Sequence, residues 1–475
     1  MNIKNLFSEI SGLRYIVENL DIKSKLGQRV LLSTKFMVNA KDVDYQLNQI
    51  DETINIYKQG DKKSVFDKAE IKLAQIRDIA GTIKNIQKRL TLNDIELFEV
   101  KSFALLVSEI KELFSDIDFI HTKIPNLNAV IEILDPEKSR TPSFYVSNAF
   151  DPNLGALRKE LIKVEFLLES LGDISGGDSE LYQQSNDIRN QITELEDKIR
   201  AELSEQLFAH VSQLNDSLAA VADIDILIAK AKQVIEYKFV KPEIATDVTS
   251  YKGLFFPELK DALNKQNKRC QPIDIELLNG SCLITGANMA GKTVLLKTLG
   301  LSQAMCQFGF FVPAESAKIV LVNQIMYSFH DNQSVLSGLS SYAAEMMCVN
   351  EMVQISKKQS PLLLLIDELA RTTNPTEGRA IVSAVANYFN QLNVKAVITT
   401  HYGGLSTQCR KLRVKGFVED SDQSQVTLQN IGDFIDYSLI EDNETDVPHE
   451  ALRIAQILDF DSEIISEAAR LIDNK

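Results

Sequence analysis

The eight residues GANMAGKT at 286–293 constrain this chain more than any other stretch, because they follow a strand-like run, SCLIT, and precede a helical one, TVLLKTLGLSQAM. A glycine-rich turn between strand and helix points backbone N–H groups and the positive helix end at whatever lies there, and phosphate oxygens satisfy both. The segment fits G-x-x-x-x-G-K-[ST] through Gly286, Gly291, Lys292 and Thr293. In such a loop Lys292 bridges the β- and γ-phosphates and Thr293 ligates Mg²⁺. Gly286, Ala287, Asn288, Met289, Ala290, Gly291, Lys292, Thr293 and Val294 are therefore the candidate nucleotide-binding residues. Ala290 suits the loop provided that its φ is negative.

A second run, LLLLIDE at 362–368, has five aliphatic residues followed by Asp367 and Glu368. A fully buried central strand has this composition, and it delivers a carboxylate pair to the carboxyl edge of a parallel sheet, where α/β folds bind ligands. An acid pair after a strand is often only a helix cap. Downstream of the lysine loop it forms a Walker A and Walker B pair, in which Asp367 holds Mg²⁺ through water and Glu368 polarises the attacking water. A third run, VITTHYGGL, puts His401 directly after another β-branched strand.

These motifs lie in the second part of a chain that divides near residue 255. Up to about Tyr251 apolar residues recur three and four apart, the all-α pattern. After YKGLFFPELK, short aliphatic runs alternate with longer helical ones, the pattern of a parallel-sheet α/β domain. Within the helical part Leu157, Leu161, Val164, Leu168 and Leu171 form one heptad seam, and Ile188, Ile192, Leu195 and Ile199 a second, with GDISGGDS between them. This predicts an antiparallel helical hairpin; two separate amphipathic helices on the core would give the same steps.

Net charge is −15, so no overall basic excess draws the chain to nucleic acid, although a local stripe can hide in an acidic total. Lys265, Lys268 and Arg269, and Arg158, Lys159 and Lys163, are the candidates for such a stripe. The five cysteines, Cys270, Cys282, Cys306, Cys348 and Cys409, form no C-x-x-C pair and suggest neither disulfides nor zinc. No aliphatic run approaches a membrane span and the polar start has no signal-peptide core, so a cytoplasmic protein without membrane contact is expected.

At this point the chain resembles a known family. ITGANMAGKTVLLKTLGLSQAMCQFGFFVPAESAKI looks like the nucleotide-binding segment of MutS-family ATPases, LLLIDELARTTNPTEGRAIVSAVANYF like their Walker B and D-loop, and DNQSVLSGLSSYAAEM like their signature region. SKLGQRVLLSTKFMVNAKDVDYQLNQIDETINIY and DIDILIAKAKQVIEYKFVKPEI resemble the two ends of the family's helical core, and HEALRIAQILDFDSEIISEAARLI its C-terminal dimerisation helices. The details lean toward the subfamily without mismatch recognition.

The resemblance implies an α plus α/β multidomain protein: a helical core and lever region at 1–150, a coiled-coil hairpin at 151–215, a helical return at 216–255, a P-loop ATPase of ABC/MutS type at 256–445 and dimerisation helices at 446–475. It implies ATP and Mg²⁺ as cofactors, with Lys292, Glu368 and His401 catalytic, His401 contacting the γ-phosphate, and Thr293 and Asp367 at the metal. Ser340 would reach across a homodimer, or a heterodimer with a related subunit, to the partner's nucleotide. The chain begins at the helical core and stops after the dimerisation helices, so neither a mismatch-reading domain nor a nuclease-like tail is expected. Two targets follow. One is a protein client, since short MutS-like ATPases of this layout resemble subunits of the reactivase of cobalamin-dependent lysine 5,6-aminomutase. The other is branched DNA, gripped by a clamp that does not read mismatches.

Overall fold

A computed structural model of the chain describes residues 2–60, 62–117, 122–170, 179–286, 290–329, 341–417, 431–442, 452, 455–456 and 460–473. Among these, helices come first: α1 (Leu13–Glu18), α2 (Lys25–Ser33), α3 (Ala40–Tyr57), α4 (Lys63–Leu73), α5 (Ala80–Gln87), α6 (Asp94–Leu113), α7 (Asn128–Leu134), α8 (Pro152–Ser170), α9 (Ser179–Phe208) and α10 (Val211–Tyr237). Strands then alternate with helices: β1 (Glu243–Ala245), β2 (Thr249–Leu254), α11 (Pro257–Lys265), β3 (Ile273–Leu277), β4 (Gly280–Thr285), α12 (Lys292–Gln307), β5 (Ser316–Val320), β6 (Gln324–Ser328), α13 (Ser341–Ser356), β7 (Leu362–Ile366), α14 (Pro375–Asn390), β8 (Lys395–Thr399), β9 (Arg410–Phe417), β10 (Ile435–Glu441) and α15 (Ser462–Asp473). A large helical N-terminal region is thus followed by a sheet-containing C-terminal one.

The helical expectation for 216–255 stops at Tyr237. Pro242 cannot continue a helix, and Thr249–Leu254 is strand with residues buried at alternate positions over its first half, so β1 and β2 join a sheet instead. The chain forms two compact units, one of Asp21–Leu31 and Glu52–Ala229, the other of Met1–Leu20, Leu32–Asp51 and Lys230–Lys475. Residues 1–20 and 32–51, read from the sequence with the helical core, therefore cluster with the sheets. The reason is local: Met37 N–H donates to Gln307 O at 2.9 Å, Gln307 Nε2 donates to Met37 O at 2.7 Å, and the Phe36 ring meets Phe308 edge-on.

In the helical unit, α6 starts with a reciprocal cap: Asn93 Oδ1 accepts from Glu96 N–H and Glu96 Oε2 accepts from Asn93 N–H. Its apolar face, with Val100, Phe103 and Val107, enters a core shared with Phe66, Leu127 and Leu214. The seam residues Leu157, Leu161, Val164 and Leu168 of α8, and Ile188, Ile192, Leu195 and Ile199 of α9, are all buried or half-buried. Arg158 pairs with Glu196, and Glu165 with Arg189, so numbers rise along one arm as they fall along the other and the helices are antiparallel. Leu171 and most of the expected turn, residues 172–178, lie outside the described residues.

In the other unit a six-stranded sheet runs β10-β9-β4-β8-β7-β6, parallel except at β10, and a four-stranded sheet runs β1-β5-β2-β3. Strands β4, β7 and β8 are buried along their whole length, because helices cover the parallel sheet. Leu362, Leu364 and Ile366 share a core with Met352 of α13 and with Val382, Ala386 and Phe389 of α14. Helix α12 contacts β6, β7 and β8. A cation holds the chain just past its end, since Lys230 Nζ donates to Phe308 O and Gly309 O at 3.2 and 2.8 Å.

Candidate functional site

Three strands end together. The register pairs Ile366 with Ile398 and Ile284 with Thr399, so the residues following β4, β7 and β8 emerge at one edge of the sheet. Gly286 leaves β4 at φ 141°, a backbone conformation that suits glycine, and Gly291 enters α12 at φ 75°. No acidic residue stands in the first turn of α12, so its positive end meets no opposing carboxylate from its own sequence. Lys292 is buried and its Nζ donates to Gly286 O at 2.7 Å, folding the ammonium back over the loop. Ala290 is buried and Val294 half-buried, whereas Ala287, Asn288 and Met289 lie outside the described residues.

The acid pair is organised by hydroxyls. Thr293 Oγ1 donates to Asp367 Oδ2 at 2.6 Å and Thr399 Oγ1 donates to Asp367 Oδ1, also at 2.6 Å. The same Thr399 oxygen accepts from Glu368 N–H at 2.8 Å, so one hydroxyl fixes both acids. Glu368 sits at φ 48°, its Oε2 accepting from Arg371 Nη1 at 2.6 Å and its Oε1 4.0 Å from Lys292 Nζ. His401 is exposed at the same edge, its ring against Tyr402, whose hydroxyl donates to Ala370 O at 2.9 Å. Desolvation lowers the His401 pKa; Lys292 and Arg371 add to this and Glu368 opposes it, so the imidazole stays neutral at pH 7.

The structure thus brings Gly286, Gly291, Lys292, Thr293, Asp367, Glu368 and His401 to one edge. Ser340 lies outside the described residues. Sequence reasoning missed Thr399, although a hydroxyl residue at the end of a strand in register with the acid pair was its signal. It also missed Arg371 and Tyr437. Tyr437 lies far along the chain in β10, yet its ring carbon Cδ1 is 3.1 Å from where a methyl on Gly291 would sit. Beside Gly291 opens a mostly apolar cavity of about 300 Å³, whose walls include Phe256, Leu263, Cys270, Val294 and Tyr437. Lys268 and Arg269, candidates for a basic stripe, line this cavity, and Arg158 is held by Glu196 and Val146 O. Lys159 and Lys163 remain exposed on α8, without an ion pair among the described residues.

The donor set suits Mg²⁺. Thr293 and Asp367 present adjacent hard oxygens, and the described residues hold no cluster of three or more carboxylate, His or Cys side chains that would cage a metal by themselves. Mg²⁺ that arrives with nucleotide phosphates needs only one or two protein oxygens.

A loop at the end of one parallel strand with an acid pair at the end of another is consistent with the P-loop nucleotide-binding class of α/β proteins. Residues 282–474 match the family model of MutS domain V. Endonuclease MutS2 of Caldicellulosiruptor bescii is 26% identical over 427 residues, covering 77% of this chain and 52% of that protein. Endonuclease MutS2 of Symbiobacterium thermophilum is 32% identical over 264 residues, covering 52% and 32%. DNA mismatch repair protein MutS of Chloroflexus aurantiacus is 32% identical over 238 residues, covering 49% and 24%. The chain is thus similar to MutS-family proteins over these stretches, and it spans about half the length of the MutS2 protein of Caldicellulosiruptor bescii. Among the described residues no helix is long and apolar enough to cross a membrane.

Proposed function

We propose that this protein is a Mg²⁺-dependent ATPase whose nucleotide cycle drives a clamp acting on branched DNA without mismatch recognition. The observation that carries the ATPase is the chain Thr293–Asp367–Thr399 at the amino end of α12, with Lys292 and Glu368 beside it. DNA as the target is supported by the relatives' names, an endonuclease and a DNA mismatch repair protein. It displaces the aminomutase-reactivase reading, which rests on layout and has no support in those names.

In the catalytic cycle Lys292 exchanges Gly286 O for phosphate oxygens. Thr293, and Asp367 through water, would hold Mg²⁺, which neutralises charge on the transferred phosphoryl group. Glu368, anchored through its own N–H, orients the attacking water, and neutral His401 donates a hydrogen bond to the γ-phosphate. Ser340 of a second identical or related subunit completes the site in trans. The base occupies the cavity beside Gly291, where no lining side chain among the described residues is a carboxylate that would pair with the N–H donors of guanine. Nucleotide-driven closure then moves the α8–α9 hairpin, whose outward Lys159 and Lys163 flank exposed Ile162 and Phe166.

The test is binding to linear and four-way-junction DNA across a salt series, with and without a non-hydrolysable ATP analogue. Tight junction binding that weakens steeply with salt supports the clamp. Absence of binding at low salt overturns it and returns a protein client to the lead.

A further inference from the structure

Strand β10 does not run straight past the nucleotide loop. Its register against β9 slips between Asp436 and Leu439, a bulge that leaves Tyr437 out of the regular ladder. The bulge is clamped from outside its own sheet by Gln271, which lies just before β3. Gln271 Nε2 donates to Asp436 Oδ1 at 2.8 Å and to Ser438 Oγ at 3.1 Å, while Tyr437 N–H donates to Gln271 Oε1 at 3.0 Å. One amide therefore holds three consecutive residues. Asp436 also accepts from Ser438 N–H and Oγ, and its other oxygen pairs with Lys415 at 3.2 Å. Burial would raise the pKa of this carboxyl, but the bonds from Ser438, Gln271 and Lys415 outweigh it and hold the group ionised well below the usual carboxylate range.

The clamp has a consequence at the cavity. Gln271 and Tyr437 both line it, and the Tyr437 ring lies against Gly291, where the nucleotide loop becomes α12. An aromatic face at the mouth of an apolar cavity can stack on a base, but only if its backbone is fixed. A bulge in a strand at the end of a sheet lacks the second row of ladder bonds that fixes a central strand, so side-chain bonds add to what fixes it. Among the described residues the Gln271 side chain bonds to all three residues of the bulge.

We propose that Gln271 is a positioning residue for nucleotide selection: by clamping the Asp436–Ser438 bulge it holds Tyr437 as a stacking surface for the base of the bound nucleoside triphosphate. This rests on the reading that the base enters the cavity beside Gly291. Inorganic tripolyphosphate engages the loop but has no base, so the ratio of its dissociation constant to that of ATP isolates the contribution of the cavity.

The experiment measures both constants by calorimetry in Mg²⁺ for the full chain and for Gln271→Ala, Gln271→Met, Tyr437→Ala and the double variant Gln271→Ala/Tyr437→Ala. The methionine variant keeps the length of the side chain and so guards against a collapsed loop. ATP affinity is expected to fall about tenfold in both Gln271 variants, roughly the loss of one well-held contact, while tripolyphosphate affinity is unchanged. In the Tyr437→Ala background Gln271→Ala should cost nothing further, which a merely structural role would not produce. An ATP preference that survives both Gln271 substitutions, or an equal loss for both ligands, overturns the proposal while leaving the cavity reading intact. Equal affinity of the wild-type protein for ATP and tripolyphosphate overturns the cavity reading, and the role of Gln271 with it.

Discussion

Replacing Thr399 by valine keeps the shape of a fully buried side chain and removes its hydroxyl. Two contacts go at once. Asp367 Oδ1 loses its 2.6 Å donor and Glu368 N–H loses its 2.8 Å acceptor, while Thr293 still serves the other oxygen of Asp367. A hydrogen bond to a charged group is worth about 1.5–3 kcal/mol and an unsatisfied buried N–H costs about 1–3 kcal/mol, so a destabilisation of roughly 3 kcal/mol is expected once the shared atom is counted once. At about 2–4 °C per kcal/mol for a domain of this size, thermal unfolding should begin roughly 6–12 °C earlier. The catalytic effect has a separate origin. Glu368 occupies a left-handed backbone conformation that few non-glycine residues adopt, and the bond to Thr399 is what fixes its amide. Released, the carboxylate drifts from the attacking water, and displacement by about 1 Å is enough to lower turnover roughly a hundredfold. Steady-state phosphate release and scanning calorimetry on Thr399→Val and Thr399→Ser separate the two effects. Serine keeps the hydroxyl and should recover most of the rate with a small loss of stability. A valine variant with wild-type turnover would show that Glu368 is fixed by something else, and the bridging role would fall.

Lys292→Ala should abolish tight ATP binding, and Glu368→Gln should retain binding while stopping hydrolysis; equilibrium binding and phosphate release check both, and wild-type turnover in Glu368→Gln would remove it as the residue that orients water. Because desolvation lowers the His401 pKa, the imidazole is neutral at pH 7 and gains its proton only as the pH falls below its ordinary 6.5. The rate difference between wild type and His401→Asn should accordingly persist as the pH falls through 6.5, and a difference that vanishes above that value would mean a raised pKa. Lys230→Met should lower stability by about 2–3 kcal/mol, because two carbonyls just past the end of α12 lose a cationic donor in a buried setting. Chemical denaturation of the full chain measures it, and an unchanged midpoint would mean that other donors serve those carbonyls.

What the sequence made legible follows from how far apart the cooperating residues are. The proposed nucleotide loop is local: Gly286, Gly291, Lys292 and Thr293 fall within eight residues, and the all-aliphatic Leu362–Ile366 run announces a buried strand that must end at its first carboxylates. The hairpin was legible for the same reason, since a heptad seam is a property of consecutive residues and burial follows it residue by residue. Register is different. Thr399 matters because β7 and β8 pair Ile366 with Ile398, which sets Asp367 beside it, and nothing within either segment states that pairing. Tyr437 and Gln271 are more remote still, joined by an irregularity in β10 whose position depends on a partner strand. The same logic explains the misplaced boundary at 216–255. A run such as Thr249–Leu254 carries only half a strand's alternation and becomes a strand because β3 and β5 flank it, one on each side. The loop and the acids proposed to perform the chemistry are thus written in short motifs. The residues that hold them in place are written in pairings between segments, which is where substitutions such as Thr399→Val and Gln271→Ala act.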